Sequence, residues 1–251
     1  MPFTLVHPAA VLPLARTPLV PSALAAGAMA PDLPYYVSLR WLGGDYNLTL
    51  THSWTAVLWF DPLIALVLLA VFQLLLERPL LALLPPAAAG RAARAARSFT
   101  WHRIGWLLLS LVAGAATHLA WDALDDVAGY GWSSRLNLLS GVVGAVVLLV
   151  WAVRWWRTTA VEPVPAGLLL GRRVQAGVVA VAVVVALVAG AVGAVGEWQQ
   201  VRDDGITGAA DLAQYAARAF AIDAATALAV VMAVHALSWH LSRLGRAPRP
   251  A

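Results

Sequence analysis

The chain has 251 residues, 61% of them hydrophobic and 12% charged, and its net charge of +4 rests on arginine alone because lysine is absent. A soluble domain is about 45–50% apolar and about 25% charged, so this composition indicates an integral membrane protein. The lack of cysteine excludes disulfides, thiolate metal sites and cysteine nucleophiles. No arginine cluster is interleaved with stacking aromatics, so nucleic acid is not an expected partner.

The opening MPFTLVHPAAVLPLARTPLVP has no basic leader and is broken by prolines, which is unlike an ordinary signal peptide. Residues 8–30 predict a short helix, a turn and a second short helix ending at Pro31. Five stretches are long and apolar enough for about 30 Å of hydrocarbon, near 55–77, 104–122, 138–156, 174–196 and 219–240. Asp61-Pro62 in the first is expected to cap a helix turn or to mark a kink. The stretch 85–100, PPAAAGRAARAARSFT, reads as a low-complexity arginine-rich loop. Loops are also expected at 123–137 and 197–218, and the tail GRAPRPA is expected to be disordered. The fourth span is rich in glycine and alanine, which suits close helix packing in lipid. The expected fold is all-α: a polytopic membrane helix bundle of about five transmembrane helices plus a proline-broken N-terminal helical segment. It forms one membrane-embedded domain over 1–240, with a basic tail over 241–251.

Arginine sets the expected orientation. The loops 78–103 and 157–173, the tail 241–251 and Arg154 hold twelve of the 17 basic residues. Of the acids, that side carries only Glu77 and Glu162. The N-terminus and the 123–137 loop are therefore expected outside, with the C-terminus in the cytoplasm. His7, His52 and His118 then face outward, while His102, His235 and His240 lie at cytoplasmic ends.

The outward histidines have carboxylates close by in sequence. Asp32 sits in AMAPDLPYY, and Asp122 follows His118 by four residues in ATHLAWDAL. On a helix, that i,i+4 spacing puts both side chains on one face, about 5–6 Å apart at Cβ. Three imidazoles and two carboxylates are a donor set for zinc or a similar divalent ion where no thiolate exists. Taken singly, each residue has a plainer reading: an interfacial hydrogen bonder, a helix-stabilising pair, or an N-cap for Asp32. Asp125 and Asp126 read as a solvated loop, and Asp61 and Asp223 as capping or paired groups near outer span ends.

The segments MPFTLVHPAAVLPL, AAGAMAPDLPYY, LTHSW before FDPL, and GAATHLAWDAL resemble an uncharacterised family of bacterial integral membrane proteins. That family is similar to membrane-bound metal-dependent hydrolases carrying PD, THS and S/T-H-x-x-x-D motifs, and remotely to zinc-dependent phospholipase C. The resemblance covers roughly residues 1–150. It implies Asp32, His52, His118 and Asp122 as metal-site positions, with His7 a further candidate, in a bacterial cytoplasmic membrane. It also implies phosphoester chemistry. The relatives continue the last motif with Phe-Thr-His, where this chain has Leu124-Asp125-Asp126, so a histidine is lost there.

The expected activity is that of a metal-dependent hydrolase, zinc being the expected ion, with Asp122 or Asp126 as general base. Its position at the lipid interface suggests a lipid or lipid-linked phosphoester substrate approached from the outer leaflet. Arg135 has the chemistry to bind an anionic head group. Two other classes stay open. One is a non-catalytic metal-binding membrane protein, such as a sensor or assembly factor. The other is a transporter with Asp61, Asp223 and His118 along a polar path, against which stands the clustering of polar residues at span ends. No G-x-S-x-G serine and no glycine-rich phosphate loop is present.

Overall fold

A computed structural model describes residues 6–39, 48–96, 104–128, 130–165 and 167–244, with the side chains of 48, 94–96 and 125–138 outside that description. The described residues form helices and turns with no strand. Five helical segments are long and apolar enough to cross a membrane: Phe60–Leu83, Ile104–Leu124, Leu139–Thr158, Arg172–Asp203 and Ala209–Leu244. The chain packs as two compact units, one of residues 1–71 with 96–160, the other of 72–95 with 161–251.

In the first unit, α1 (Pro8–Val11) and α2 (Pro21–Met29) are joined through a 3₁₀ turn over Leu12–Arg16. Pro8 and Pro21 stand at the helix starts, where a missing N–H costs nothing. The second short helix passes into a 3₁₀ turn, Ala30–Tyr35, instead of ending at Pro31. At 9 residues, α2 rises only about 13 Å, far short of the hydrocarbon thickness. Its backbone ends therefore need partners inside the protein.

Those partners come from α7 (Ile104–Ala128). The Ser110 hydroxyl accepts from the Val20 N–H at 2.8 Å and itself donates to the Trp106 carbonyl. At the other end of α2, His118 Nδ1 donates to the Ala28 carbonyl at 2.7 Å. Both bonds join residues 90 apart. The eight-residue step from Val20 to Ala28 thus matches the step from Ser110 to His118, about 12 Å of helix rise on each. The two helices run parallel and in register. Between the bonds, Gly27 lies against the Leu111 carbonyl and Gly114 against the Leu24 carbonyl, with no room for a side chain. Glycine is what lets the backbones touch.

The unit is completed by α3 (Leu48–Thr51), a 3₁₀ turn over Ala56–Leu58, α4 (Phe60–Val71) and α8 (Tyr130–Thr158). Phe60, Ile64, Ala65 and Leu69 of α4 pack with Ala23, Ala30, Leu107 and Leu111. Val57 packs with Ala115 and Leu119. The expected loop at 123–137 is instead helix, belonging to α7 up to Ala128 and to α8 from Tyr130. Its polarity suggested a loop, but ALDDVA lacks proline and polarity does not end a helix. Asp61 makes no cap, since neither of its oxygens accepts a hydrogen bond among the described residues, and Pro62 lies in the first turn of α4, where a missing N–H costs nothing.

The second unit contains a π turn at Phe72–Leu76, α5 (Glu77–Leu83), α6 (Pro86–Ala96), α9 (Arg172–Asp203) and α10 (Ala209–Leu244). The expected arginine-rich loop is thus largely α6; alanine and arginine are strong helix formers, and Pro86 opens it. The loop expected at 197–218 shrinks to the turn between α9 and α10. Pro79 has no N–H for the Leu75 carbonyl four residues back. His240 Nε2 donates to that carbonyl at 3.0 Å, and His235 Nε2 to the Pro79 carbonyl at 3.2 Å. Gln175 ties the end of α5 by donating to Ala82 and Leu84. Gly190 faces the Phe220 ring and Gly193 the Asp223 carboxylate. Asp223 lies within α10, against Gly193 of α9.

The glycine contact is testable. Gly114→Ala should lower the thermal stability of detergent-purified protein by about 1–3 kcal/mol through overpacking. Gly105→Ala on the same helix, where a Cβ meets nothing within 4 Å, should be neutral or stabilising by up to about 1 kcal/mol. Equal responses at the two positions would contradict the close α2–α7 contact.

Candidate metal centre

Five side chains of the first unit meet at one place. His7 stands at the N-cap of α1, Asp32 lies in the 3₁₀ turn after α2, and His52 follows α3. His118 and Asp122 come from consecutive turns of α7. The α2–α7 register puts Asp32, a few residues past Ala28, beside the segment of α7 that carries His118.

Four donor atoms alternate nitrogen and oxygen around a ring. His52 Nε2 lies 3.3 Å from Asp32 Oδ1 and 3.5 Å from Asp122 Oδ2. His118 Nε2 lies 3.5 Å from each of the same two oxygens. These gaps exceed an ordinary N–H···O hydrogen bond, about 2.7–3.2 Å. They are close to the separation of neighbouring donors on one ion: ligands about 2.0–2.1 Å from a tetrahedral ion stand about 3.3 Å apart. The fifth residue, His7, is placed differently. Its Nδ1 is 3.8 Å from Asp32 Oδ2 and its Nε2 is 3.6 Å from Asp122 Oδ1. Its ring stacks on that of His118, centroids 3.8 Å apart.

Burial makes this arrangement costly without a further partner. His7, Asp32 and His118 are at most 3% exposed. Both His7 nitrogens, Asp32 Oδ1, His118 Nε2 and both Asp122 oxygens make no hydrogen bond among the described residues. An orphaned buried polar group costs about 1–3 kcal/mol, and native proteins rarely tolerate several at once. Here they converge. His7, Asp32 and His118 offer donor atoms within 4.8 Å of one another, as do His52, His118 and Asp122. The donor set and its spacing fit a divalent ion.

The ring nitrogens facing away from the centre are held by other groups. A carbonyl only accepts, so the Ala28 bond keeps a proton on His118 Nδ1 and leaves Nε2 facing the centre. His52 Nδ1 is 3.2 Å from the Thr51 hydroxyl, which orients its Nε2 in the same way. Access is one-sided, since the His52 and Asp122 side chains are 14% and 13% exposed while the other three are at most 2%.

Asp126 is one helical turn beyond Asp122 along α7, and its side chain, like those of Asp125 and Arg135, lies outside the described residues. Three contributors escaped the sequence. Thr51 stood in plain view beside His52, but a hydroxyl there has no pattern that marks its role. The Ala28 carbonyl has no residue signature at all. Asp61 is fully buried and within electrostatic reach of His52 and His118, whereas its sequence context suggested a cap.

Burial by itself would push the Asp32 carboxyl up, but the polar contacts of His118 and His52, with the charge on His118 and His7, hold it well below the usual carboxylate range. A group depressed on folding stabilises above its unfolded value, about 3.9, and that contribution fades as pH falls through the folded value. The ion-free protein should therefore lose thermal stability on acidification below about pH 4, and Asp32→Asn should flatten that part of the profile. A melting-temperature series against pH checks this; an unchanged acid limb in Asp32→Asn would contradict it.

No curated protein and no solved structure is matched by the chain. A family model does match, across residues 1–241. The chain belongs to the family described as Domain of unknown function (DUF4184).

Proposed function

We propose that this is a membrane-bound metal-dependent hydrolase whose centre binds one divalent ion, zinc by choice of donors, through His52, His118, Asp32 and Asp122. The observation that carries the reading is the alternating ring of two imidazole nitrogens and two carboxylate oxygens at 3.3–3.5 Å, inside an apolar unit. A bound divalent ion supplies Lewis acidity, lowering the pKa of water and offsetting negative charge at a phosphoryl or acyl centre.

The chain's own residues supply the rest. Ala28 and Thr51 hold the two imidazoles in place. The half-open side between His52 and Asp122 is where substrate enters. Asp122 turns one oxygen to the centre and the other to His7, so Asp126, one turn further on the same helix, is the base in this reading. Exposed apolar side chains adjoin the ligands along the chain: Trp54, Leu58 and Trp59 follow His52 and are 59%, 74% and 49% exposed, and Trp121 precedes Asp122. Aromatic side chains of this kind settle at membrane interfaces, which supports a lipid or lipid-linked phosphoester as substrate. The arginine distribution favours the orientation with this side facing outward.

A second reading has its own support. Four protein donors closing a ring resemble a structural metal site, which lacks an open position, and Leu124-Asp125-Asp126 stands where the similar hydrolases carry a histidine. In that case the protein binds metal as a sensor or assembly factor.

Divalent-ion uptake by detergent-purified protein tests the shared premise. At 100 times Kd, zinc should stabilise the fold by about 2.7 kcal/mol, reversed by chelator. His118→Ala should abolish both binding and activity. Asp126→Asn should retain the ion and lose about 10²–10⁴-fold in rate if it is the base. Stabilisation by zinc without hydrolysis of any phospholipid or aryl phosphate would favour the second reading.

Orientation is tested on the cysteine-free chain. A single cysteine at position 130 should react with a membrane-impermeant reagent from outside, and one at position 87, which is exposed, only after the membrane is opened. The reverse pattern would overturn the outward assignment.

A further inference from the structure

We propose that His7 is a positioning residue of the centre, set against the outer oxygens of the two carboxylates, and not one of its ligands. The inference rests on the ion-binding reading above and refines it. His52 and His118 each aim one nitrogen at both carboxylates, at 3.3 and 3.5 Å for His52 and 3.5 Å twice for His118. A single nitrogen set between two oxygens is what a common centre demands. His7 instead turns Nδ1 toward Asp32 and Nε2 toward Asp122. A ring that addresses one carboxylate with each nitrogen aims neither at the point between them.

The oxygens sort the same way. Asp32 Oδ1 and Asp122 Oδ2 face the ring of four, while Asp32 Oδ2 and Asp122 Oδ1 face His7. Each carboxylate thus has one oxygen for the centre and one for the outer histidine. At 3.8 and 3.6 Å the two His7 approaches are facing contacts and not closed hydrogen bonds. A neutral ring carries one N–H, and closing either contact would fix the rotation of that carboxylate and so the direction of its inner oxygen. Stacking on His118, with 22° between ring planes, holds the His7 ring in that position. Its backbone is held as well. The His7 carbonyl accepts from Ala10 at 2.9 Å, and Val11 of α1 packs against Leu24 and Ala28 of α2. The first histidine of the chain is therefore held through α1 against the same α2–α7 pair that positions Asp32, His118 and Asp122.

The competing arrangement is three-imidazole coordination, because His7, Asp32 and His118 also bring donor atoms within 4.8 Å of one another. X-ray absorption on the zinc-loaded protein counts imidazoles directly and needs no variant. Two imidazoles per zinc are expected, and three would overturn the proposal. His7→Ala should still take up one zinc per chain with the same imidazole count, at an affinity lower by about 10–100-fold. His7→Gln, whose amide can donate to a carboxylate oxygen, should recover part of that loss. A count that falls by one in His7→Ala, or loss of stoichiometric binding as deep as that of His118→Ala, would also overturn it. Failure of the wild-type protein to bind zinc at all would remove the ion-binding reading itself and this inference with it, whereas three imidazoles would remove this inference alone.

Discussion

Two helix backbones in contact, α2 against α7, are the constraint from which the centre follows. Gly27 and Gly114 remove the side chains that would separate them. Ser110 and His118 then meet the backbone of α2 at its two ends, in one register. A helix of 9 residues cannot cross a bilayer, so its free backbone groups must be met within the protein. His118 meets one of them. In doing so it commits Nδ1 to structure and is left with Nε2 for chemistry. The same bond that docks a short helix also orients an imidazole.

Burying two carboxylates and three histidines together is expensive in an apolar unit. Direct ion pairing does not account for it well, because the N···O separations of 3.3–3.8 Å leave the groups facing one another without closing. Such spacing is natural when several donors surround a common point. The one-sided exposure of His52 and Asp122 then gives the point a direction, toward the end of α7 where Trp121 and Leu124 are exposed. Polar donors and exposed apolar side chains adjoin there.

The second unit solves a different problem with similar means. Pro79 leaves the Leu75 carbonyl without its helical N–H, and His240 of α10 donates to that carbonyl while His235 donates to the Pro79 carbonyl itself. His235 and His240 are thus accounted for by backbone satisfaction, as membrane helices with internal proline require. Along α9 and α10, glycines again mark close contacts, here with a phenylalanine ring and a carboxylate.

Much was legible in the sequence for physical reasons. Long apolar stretches can only be spans, so the all-α membrane class and the five spanning segments followed from composition and length. Proline placed the short N-terminal helices, because it sits well only where no N–H is needed. The pairing of His118 with Asp122 followed from the helical repeat. Helix ends were less legible: 86–96 and 123–128 read as loops because they are polar or of low complexity, although their residues favour helix and nothing there stops one. What only the tertiary structure decided is which distant residues meet. Nothing in the local sequence of Asp32 or His52 points to α7, and no pattern announces a backbone carbonyl as the partner of His118. Those contacts depend on the register of α2 on α7, which two glycines and two hydrogen bonds set across 90 residues of chain.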